Sequence, residues 1–145
     1  MRAAHWACVN HQKQIIETVR PDVVVASSWG AAVALKCLEL GYYNGPSILL
    51  APAVEVRGWW SWIWPPQLFL IPQKAADKCM VVCGELDKTV CVNAVQTMCT
   101  TNGITRFERI SGAGHRLNTA LIRSDRLREL ILEMSEDRTC TRIDH

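Results

Sequence analysis

Three short, uninterrupted apolar runs, each followed by a longer segment, constrain the fold of this chain more than any other feature of its sequence. They lie within residues 22–26, 47–51 and 79–83, where the first two segments begin with the polar residues Asp22 and Ser47, and they are rich in Val, Ile and Leu. Continuous apolar runs of this length are typical of strands buried on both faces of a parallel sheet. Parallel strands must be joined by crossover segments, so we expect an α/β fold.

Helical periodicity fills most of the intervening sequence. A first helix is predicted from about Ala3 to Arg20, where Pro21 ends it because proline removes a donor and restricts the residue before it. A second helix should end at Gly41, and a third should end at the turn 102–103. Their apolar positions are Ala31, Ala34, Leu35 and Leu38 in the second, and Val92, Val95 and Cys99 in the third.

The C-terminal part completes the predicted fold. Residues 105–110 alternate in polarity and predict a fourth, more exposed strand. A last helix should follow, with fraying expected over 136–145. We therefore expect one domain over residues 1–145, with about four parallel strands and helices on both faces. The apolar face of the last helix carries Leu127, Leu130, Ile131 and Met134.

Composition narrows the class of protein. The 145 residues are 49% hydrophobic with a net charge of +2, which excludes global disorder and suits one domain. Scattered Lys and Arg argue against nucleic-acid binding, and no apolar run approaches the roughly 18 residues of a membrane span.

Seven cysteines without framework or CxxC spacing predict buried thiols in a reducing, cytoplasmic compartment. The four histidines lack zinc-ligand spacing, so we expect no metal.

Residues able to do chemistry follow three of the predicted strands. Ser28 lies between Ala26 and Gly30, two small residues that allow a sharp turn exposing a serine. Asp87 lies three residues after Gly84, and His115 ends the sequence Gly-Ala-Gly-His. Taken singly, Ser28 could cap a helix, Asp87 could be a turn residue and His115 a surface histidine.

Taken together, this order of serine, acid and histidine resembles the α/β-hydrolase superfamily over residues 21–115. The resemblance implies that Ser28 is the nucleophile, His115 the general base and Asp87 the residue that orients it. It also implies that the backbone N–H of Trp29 stabilises an oxyanion. The expected activity is hydrolysis of a carboxylic ester or similar small acyl compound, with no cofactor.

Competing residues fit these roles less well. Ser27 lacks a glycine two residues later, and Glu85 is interpreted as a solvated loop charge. His5 and His11 lie on the first predicted helix, where a surface position is the usual one.

The sequence departs from the superfamily pattern in two places. Ala26 stands where the motif usually has glycine, which is a mild departure. Only one helix precedes residue 22, whereas the family has several earlier strands and a loop that donates a second oxyanion N–H. We therefore expect an N-terminally truncated domain in which the Ser28 strand is an exposed sheet edge. The alternative to an enzyme is a catalytically silent fragment whose edge pairs with a partner or with itself.

A tryptophan-rich segment after the second strand has no assigned role. It holds four of the six tryptophans in the chain. Trp59, Trp60 and Trp62 could form the wall of a substrate pocket, or the segment could simply cover a thin core. Contact with lipid is a third interpretation, less favoured because no basic amphipathic helix accompanies the segment.

Overall fold

A four-stranded parallel sheet forms the centre of the protein, as the apolar runs predict. The structure, a computed structural model, describes residues 2–140. The strands follow one another across the sheet in chain order, each parallel to the next. All four carboxyl ends therefore open onto the same rim. The strands are β1 (Val24–Ser27), β2 (Ser47–Leu50), β3 (Cys79–Gly84) and β4 (Arg106–Ile110).

Six α-helices and one 3-10 helix surround the sheet in the described part of the chain. Within residues 2–140, no helix is both long and apolar enough to cross a membrane. The α-helices are α1 (Arg2–Val19), α2 (Trp29–Glu39), α3 (Gln73–Ala76), α4 (Val92–Thr101), α5 (Leu117–Arg123) and α6 (Arg126–Cys140); the 3-10 helix is Gly58–Trp62.

The C-terminal region differs from its prediction. Two helices follow β4 instead of one, because Asp125 takes a left-handed backbone conformation (φ 56°) that interrupts the helical path. The second of them, α6, is helical through Cys140, which includes the first half of the segment where we expect fraying. Residues 141–145 of that segment lie outside the described residues.

Alternate residues of β2 and β3 supply two separate cores. One core packs Leu49, Val81 and Cys83 against α2 and α4. The other packs Ile48 and Val82 against α5 and α6. Helices thus cover both faces of the sheet, and this explains why the central strands read as continuous apolar runs.

The β1 side of the sheet is an edge, as expected from the sequence. Within residues 2–140, β1 pairs with β2 alone. Helix α1 packs on α2 through Val9, Val33 and Cys37 and does not cover the strand fully, since Val25 remains 42% exposed. A groove of about 310 Å³ runs along this edge between α1, β1 and α2.

Six cysteines are free thiols, at positions 8, 37, 79, 83, 91 and 99. Four of them, at positions 37, 79, 83 and 99, are buried. Burial raises the pKa of the Cys79, Cys83 and Cys99 thiols to about 12. These side chains act as small hydrophobic residues of the core.

Candidate active site

Ser28 occupies a sharp turn between β1 and α2. Its backbone has φ 54°, a left-handed conformation that is strained for a residue with a Cβ. Hydrogen bonds hold the turn in place: the Ser28 N–H donates to the Leu50 carbonyl at 2.8 Å, and the Ser28 carbonyl accepts the N–H groups of Ala31, Ala32 and Ala53 at 3.1–3.2 Å. The sharp turn at Ser28 that the sequence predicts is thus present, but the predicted need for a small residue at position 30 is not seen, since nothing lies within 4 Å of a Cβ added at Gly30.

Asp87 lies on the loop that follows β3, with its side chain buried. Its Oδ1 accepts the N–H groups of Thr89 and Val90, each at 2.8 Å. Burial works to raise the pKa of this carboxyl, but the hydrogen bonds from His115, Val90 and Thr89 outweigh it and lower the pKa. Asp87 is therefore ionised across the neutral pH range.

The histidine loop after β4 packs directly on the acid loop. The Leu86 N–H donates to the Ala113 carbonyl at 2.9 Å, and a Cβ added at Gly84 would collide with the carbonyl oxygens of Ala113 and Gly114. Only glycine at position 84 allows this approach. Gly84 thus allows the acid loop and the histidine loop to pack closely, and it also lies three residues before Asp87.

The structure brings the three predicted side chains together. Ser28 Oγ lies 2.8 Å from Nε2 of His115, and Nδ1 of His115 lies 2.8 Å from Oδ2 of Asp87. A carboxylate can only accept, so Nδ1–H of His115 donates to Asp87 and Nε2 is left to accept the Ser28 hydroxyl. This chain of hydrogen bonds can remove a proton from the serine and support the imidazolium that results.

Trp29 follows Ser28 and begins α2, so its backbone N–H lies at the positive end of the helix dipole. Its indole ring packs edge-on against His5 and Trp64, with centroid separations of 5.8 and 6.2 Å. The interpretation of His5 as a surface histidine is wrong, because its side chain is only 6% exposed. His5 shares a helical stripe with Val9 and Ile16, a spacing that could have revealed its burial from sequence.

The tryptophan-rich segment is divided between core and surface. Trp64 is buried, and its indole Nε1 donates to the Ala53 carbonyl at 2.6 Å. Trp59, Trp60 and Trp62 lie on the 3-10 helix with exposed fractions of 63%, 47% and 90%. Their role as a pocket wall stays a prediction. The neighbouring Trp64, which the sequence did not single out, packs in the core.

The residues that compete for the three catalytic roles lie outside the hydrogen-bonded chain of Ser28, His115 and Asp87. Glu85 is exposed and accepts the Ser111 hydroxyl at 2.8 Å, as a solvated loop charge would. His11 is exposed on α1, and Ser27 ends β1. Across residues 2–140 there is no cluster of three or more His, Cys, Asp or Glu side chains that could hold a metal ion.

Solved structures with the same architecture identify the fold. A protein described as a hydrolase of the alpha/beta superfamily, from Xanthomonas campestris pv. campestris, superimposes with a TM-score of 0.69 at 16% identity, over 92% of this chain and 68% of its own. SOBER1 from Arabidopsis thaliana superimposes with a TM-score of 0.64 at 19% identity, over 92% of this chain and 66% of its own. No protein-family model and no curated protein matches the sequence.

The chain spans about two-thirds of the length of these structures. At this level of identity the likeness concerns the path of the backbone: four parallel strands with helices on both faces, in the same arrangement. The protein therefore has an α/β fold that matches α/β-hydrolase structures over about two-thirds of their length.

Proposed function

We propose that this protein is a serine hydrolase that cleaves a carboxylic ester or a similar acyl compound through an acyl-enzyme. The observation that carries the proposal is the pair of 2.8 Å contacts linking Ser28 to His115 and His115 to Asp87. Three residues that are far apart in sequence meet at the rim where open parallel sheets place reactive groups. The shared fold with alpha/beta hydrolase structures supports the same class of reaction.

Acylation begins at the Ser28 hydroxyl. Its oxygen attacks the carbonyl carbon of the ester while its proton passes to Nε2 of His115. The tetrahedral intermediate collapses when the bond to the alkoxy group breaks, and the proton on Nε2 passes to the departing alcohol. The acyl group remains on Ser28 as an ester, and His115 is neutral again.

Deacylation repeats these steps with water as the nucleophile. His115 takes a proton from water as the hydroxide adds to the acyl carbon, then returns it to Ser28 Oγ as the acid leaves. Asp87 stabilises the imidazolium in both stages and fixes the tautomer. Its lowered pKa keeps it charged and therefore able to act throughout the neutral range.

The oxyanion of each tetrahedral intermediate needs hydrogen-bond donors. The backbone N–H of Trp29, at the amino end of the 11-residue helix α2, is the donor we assign. If Trp29 is the sole donor, turnover should be lower by about 10²–10³ than with two donors.

A fluorophosphonate reagent tests the proposal because it phosphonylates an activated serine much faster than an ordinary hydroxyl. We expect stoichiometric labelling that maps to the peptide containing Ser28, loss of labelling in Ser28→Ala, and retention in the matched variant Ser27→Ala. Asp87→Asn should slow the reaction by about 10⁴-fold, and the neighbouring change Glu85→Gln should leave it nearly unchanged. An unlabelled wild-type protein that melts cooperatively would contradict the proposal.

The edge strand favours a second candidate function, that of a catalytically silent partner-binding protein. Val25 is 42% exposed on β1, and an apolar strand edge of this kind is a ready template for pairing with another chain. A folded protein that resists the fluorophosphonate reagent yet forms a complex lost on Val25→Lys would favour this function.

A further inference from the structure

The segment that follows β2 carries a run of exposed apolar side chains that no step of the proposed hydrolysis uses. Their exposed fractions range from 39% to 90%. Monomeric proteins rarely expose continuous apolar surface of more than a few hundred Å², so a larger surface indicates an interaction site. We call these side chains the apolar ribbon; they are Trp59, Trp60, Trp62, Ile63, Leu68 and Leu70.

Two hydrogen bonds hold the first part of the ribbon in a closed loop. Buried Trp64 donates its indole N–H to the Ala53 carbonyl at 2.6 Å, and the Gln67 N–H donates to the Val54 carbonyl at 2.7 Å. Residues 54 and 67 are thereby brought together, and the 3-10 helix lies on the loop between them. The three tryptophans and Ile63 are therefore fixed near one another.

The last two side chains extend the ribbon along the same core. Phe69 is buried in the core that α2 and α4 cover, and Trp64 belongs to that core as well. Leu68 and Leu70, on either side of Phe69, are 76% and 65% exposed. The Leu70 N–H donates to Glu39 at the end of α2, at 2.9 Å. The whole ribbon thus borders one face of the sheet.

The area of the ribbon is that of a protein interface. With three partly exposed tryptophans and three exposed aliphatic residues, it presents roughly 800 Å² to solvent. Each partner in a stable protein interface of standard size contributes about 800 Å². The ribbon is therefore large enough to hold a protein partner without help from another surface.

The charges around the ribbon favour a second copy of this chain as that partner. No charged residue occurs from residue 58 to residue 73, and at the Leu70 end Glu39 forms an ion pair with Lys36. A symmetric interface places the same surface on both sides, so any unpaired charge within it would meet its own like. The ribbon avoids this repulsion. Interfaces between identical chains are also more apolar than those with transient partners.

The shape of the ribbon is suited to two-fold symmetry. Such an interface needs a projecting group and a surface that receives it on the same chain. Trp62 is 90% exposed, and Trp59 and Trp60 stack with ring centroids 4.1 Å apart to give a broad aromatic surface. When Trp62 of one copy packs on the stacked pair of the other, the two-fold axis repeats the contact.

We propose that two copies of this chain associate through the apolar ribbon about a two-fold axis. The Ala53 N–H donates to the Ser28 carbonyl at 3.1 Å, and the Arg57 N–H donates to the Thr89 carbonyl at 2.8 Å. These bonds tie the start of the ribbon to the serine turn and to the acid loop, so the second copy lies beside the candidate active site. The association itself does not depend on hydrolysis.

Sedimentation velocity of the full chain tests the association. Between about 0.1 and 100 µM the protein should change from monomer to dimer. Trp62→Ala and Leu68→Glu should each raise the dissociation constant of the dimer by about thirtyfold or more, because each change occurs twice in the dimer. Both side chains are exposed, so each variant should retain the cooperative melt of the wild type.

Two control variants separate the ribbon from other surfaces. Ile122→Glu changes a side chain that is 63% exposed on α5, a helix that packs on the opposite face of the sheet, and should leave the dimer intact. Val25→Lys at the β1 edge should also leave it intact. Ser28→Ala should dimerise like the wild type, which separates association from hydrolysis.

Several outcomes would overturn the proposal. A chain that stays monomeric up to about 100 µM would do so, whatever other partner it binds. Assemblies that keep growing with concentration would exclude a closed two-fold interface. A dimer that survives either Trp62→Ala or Leu68→Glu, or that is weakened equally by Ile122→Glu, would assign the contact elsewhere. Loss of the dimer in Val25→Lys would assign it to the strand edge.

Discussion

The two halves of the candidate site are held in different ways. In the acid and histidine half, strand β3 pairs with β4 over five positions, from Met80 to Gly84. The loops beyond these strands also bond to each other, since Glu85 N–H donates to the Ile110 carbonyl at 3.0 Å and Leu86 N–H to the Ala113 carbonyl at 2.9 Å. The position of His115 relative to Asp87 is therefore set by directly bonded backbone.

The nucleophile half lies at the edge of the sheet and is held by a different set of contacts. Within residues 2–140, β1 pairs with β2 alone, and Ser28 itself has a strained backbone. The aromatic cluster beside it leaves two buried polar atoms, Nδ1 of His5 and Nε1 of Trp29, without a hydrogen-bond partner among the described residues. The comparison teaches that the acid and histidine loops are held by hydrogen bonds to each other, whereas the Ser28 turn is held by its own backbone hydrogen bonds at the edge of the sheet.

The largest loss of stability is expected from a substitution in the acid and histidine half. Gly84→Ala forces a Cβ against two backbone carbonyls and should lower the free energy of unfolding by about 3 kcal/mol, with loss of fluorophosphonate labelling. Gly114→Ala is the matched control, because nothing lies within 4 Å of the added Cβ there. Urea denaturation measures both changes. Equal effects of the two substitutions would show that the loops are less tightly packed than their geometry implies.

A smaller effect is expected from strain at the nucleophile. Both Ser28→Gly and Ser28→Ala remove the hydroxyl, but only glycine relieves the left-handed backbone, so Ser28→Gly should be more stable by about 1 kcal/mol. The same pair of substitutions at Ser27, a strand residue, should differ in the opposite direction. Chemical denaturation of the four variants measures the difference in the free energy of unfolding within each pair. An equal stability of the two Ser28 variants would rule out strain at the turn.

The nucleophile half should also be sensitive to acid. Burial, aided by the charge of Lys36, lowers the pKa of His5 below its ordinary value. The unfolded chain then binds more protons than the folded one, so stability is lost as the pH falls below about 6.5 towards the lowered pKa. His5→Leu should remove this loss, whereas His11→Leu, on the exposed side of the same helix, should retain it. The urea midpoint at about pH 7.5 and about pH 5 measures the difference, and identical losses in both variants would exclude His5 as the source.

The smallest effect on stability is expected at the edge itself. Val25→Lys places a charge on β1 and should change the free energy of unfolding by less than about 0.5 kcal/mol while suppressing any association through the edge. Val19→Lys is the control, since Val19 is 65% exposed at the end of α1. Sedimentation velocity measures the association. Association that survives Val25→Lys would show that it uses another surface.

Local patterns were sufficient to predict the sheet and the residues at its rim. Buried parallel strands produce continuous apolar runs, and the residues directly after them must lie at the carboxyl edge. The positions of Ser28, Asp87 and His115 follow from this rule, and the structure brings them within hydrogen-bond reach of one another. Their catalytic roles remain predictions that the labelling experiment tests.

The residues that sequence reasoning missed depend on contacts distant along the chain. His5 is buried because Trp29 and Trp64, from two other segments, pack against it. Trp64 differs from its exposed neighbours because it packs against His5 and Trp29 and donates its indole N–H to the Ala53 carbonyl. The four tryptophans of this segment cannot be distinguished by composition, so the sequence could not show which one of them is buried.

The sequence by itself determined which segments become strands, because burial on both faces gives β2 and β3 unbroken apolar runs and the more exposed β4 alternates in polarity. Only the tertiary structure decided how closely the rim residues approach, since Ser28 and His115 are 87 positions apart and their 2.8 Å contact depends on the register of four strands and the packing of two loops. Distances of that kind are set by the sum of many weak contacts across the sheet, and no local pattern of residues encodes them.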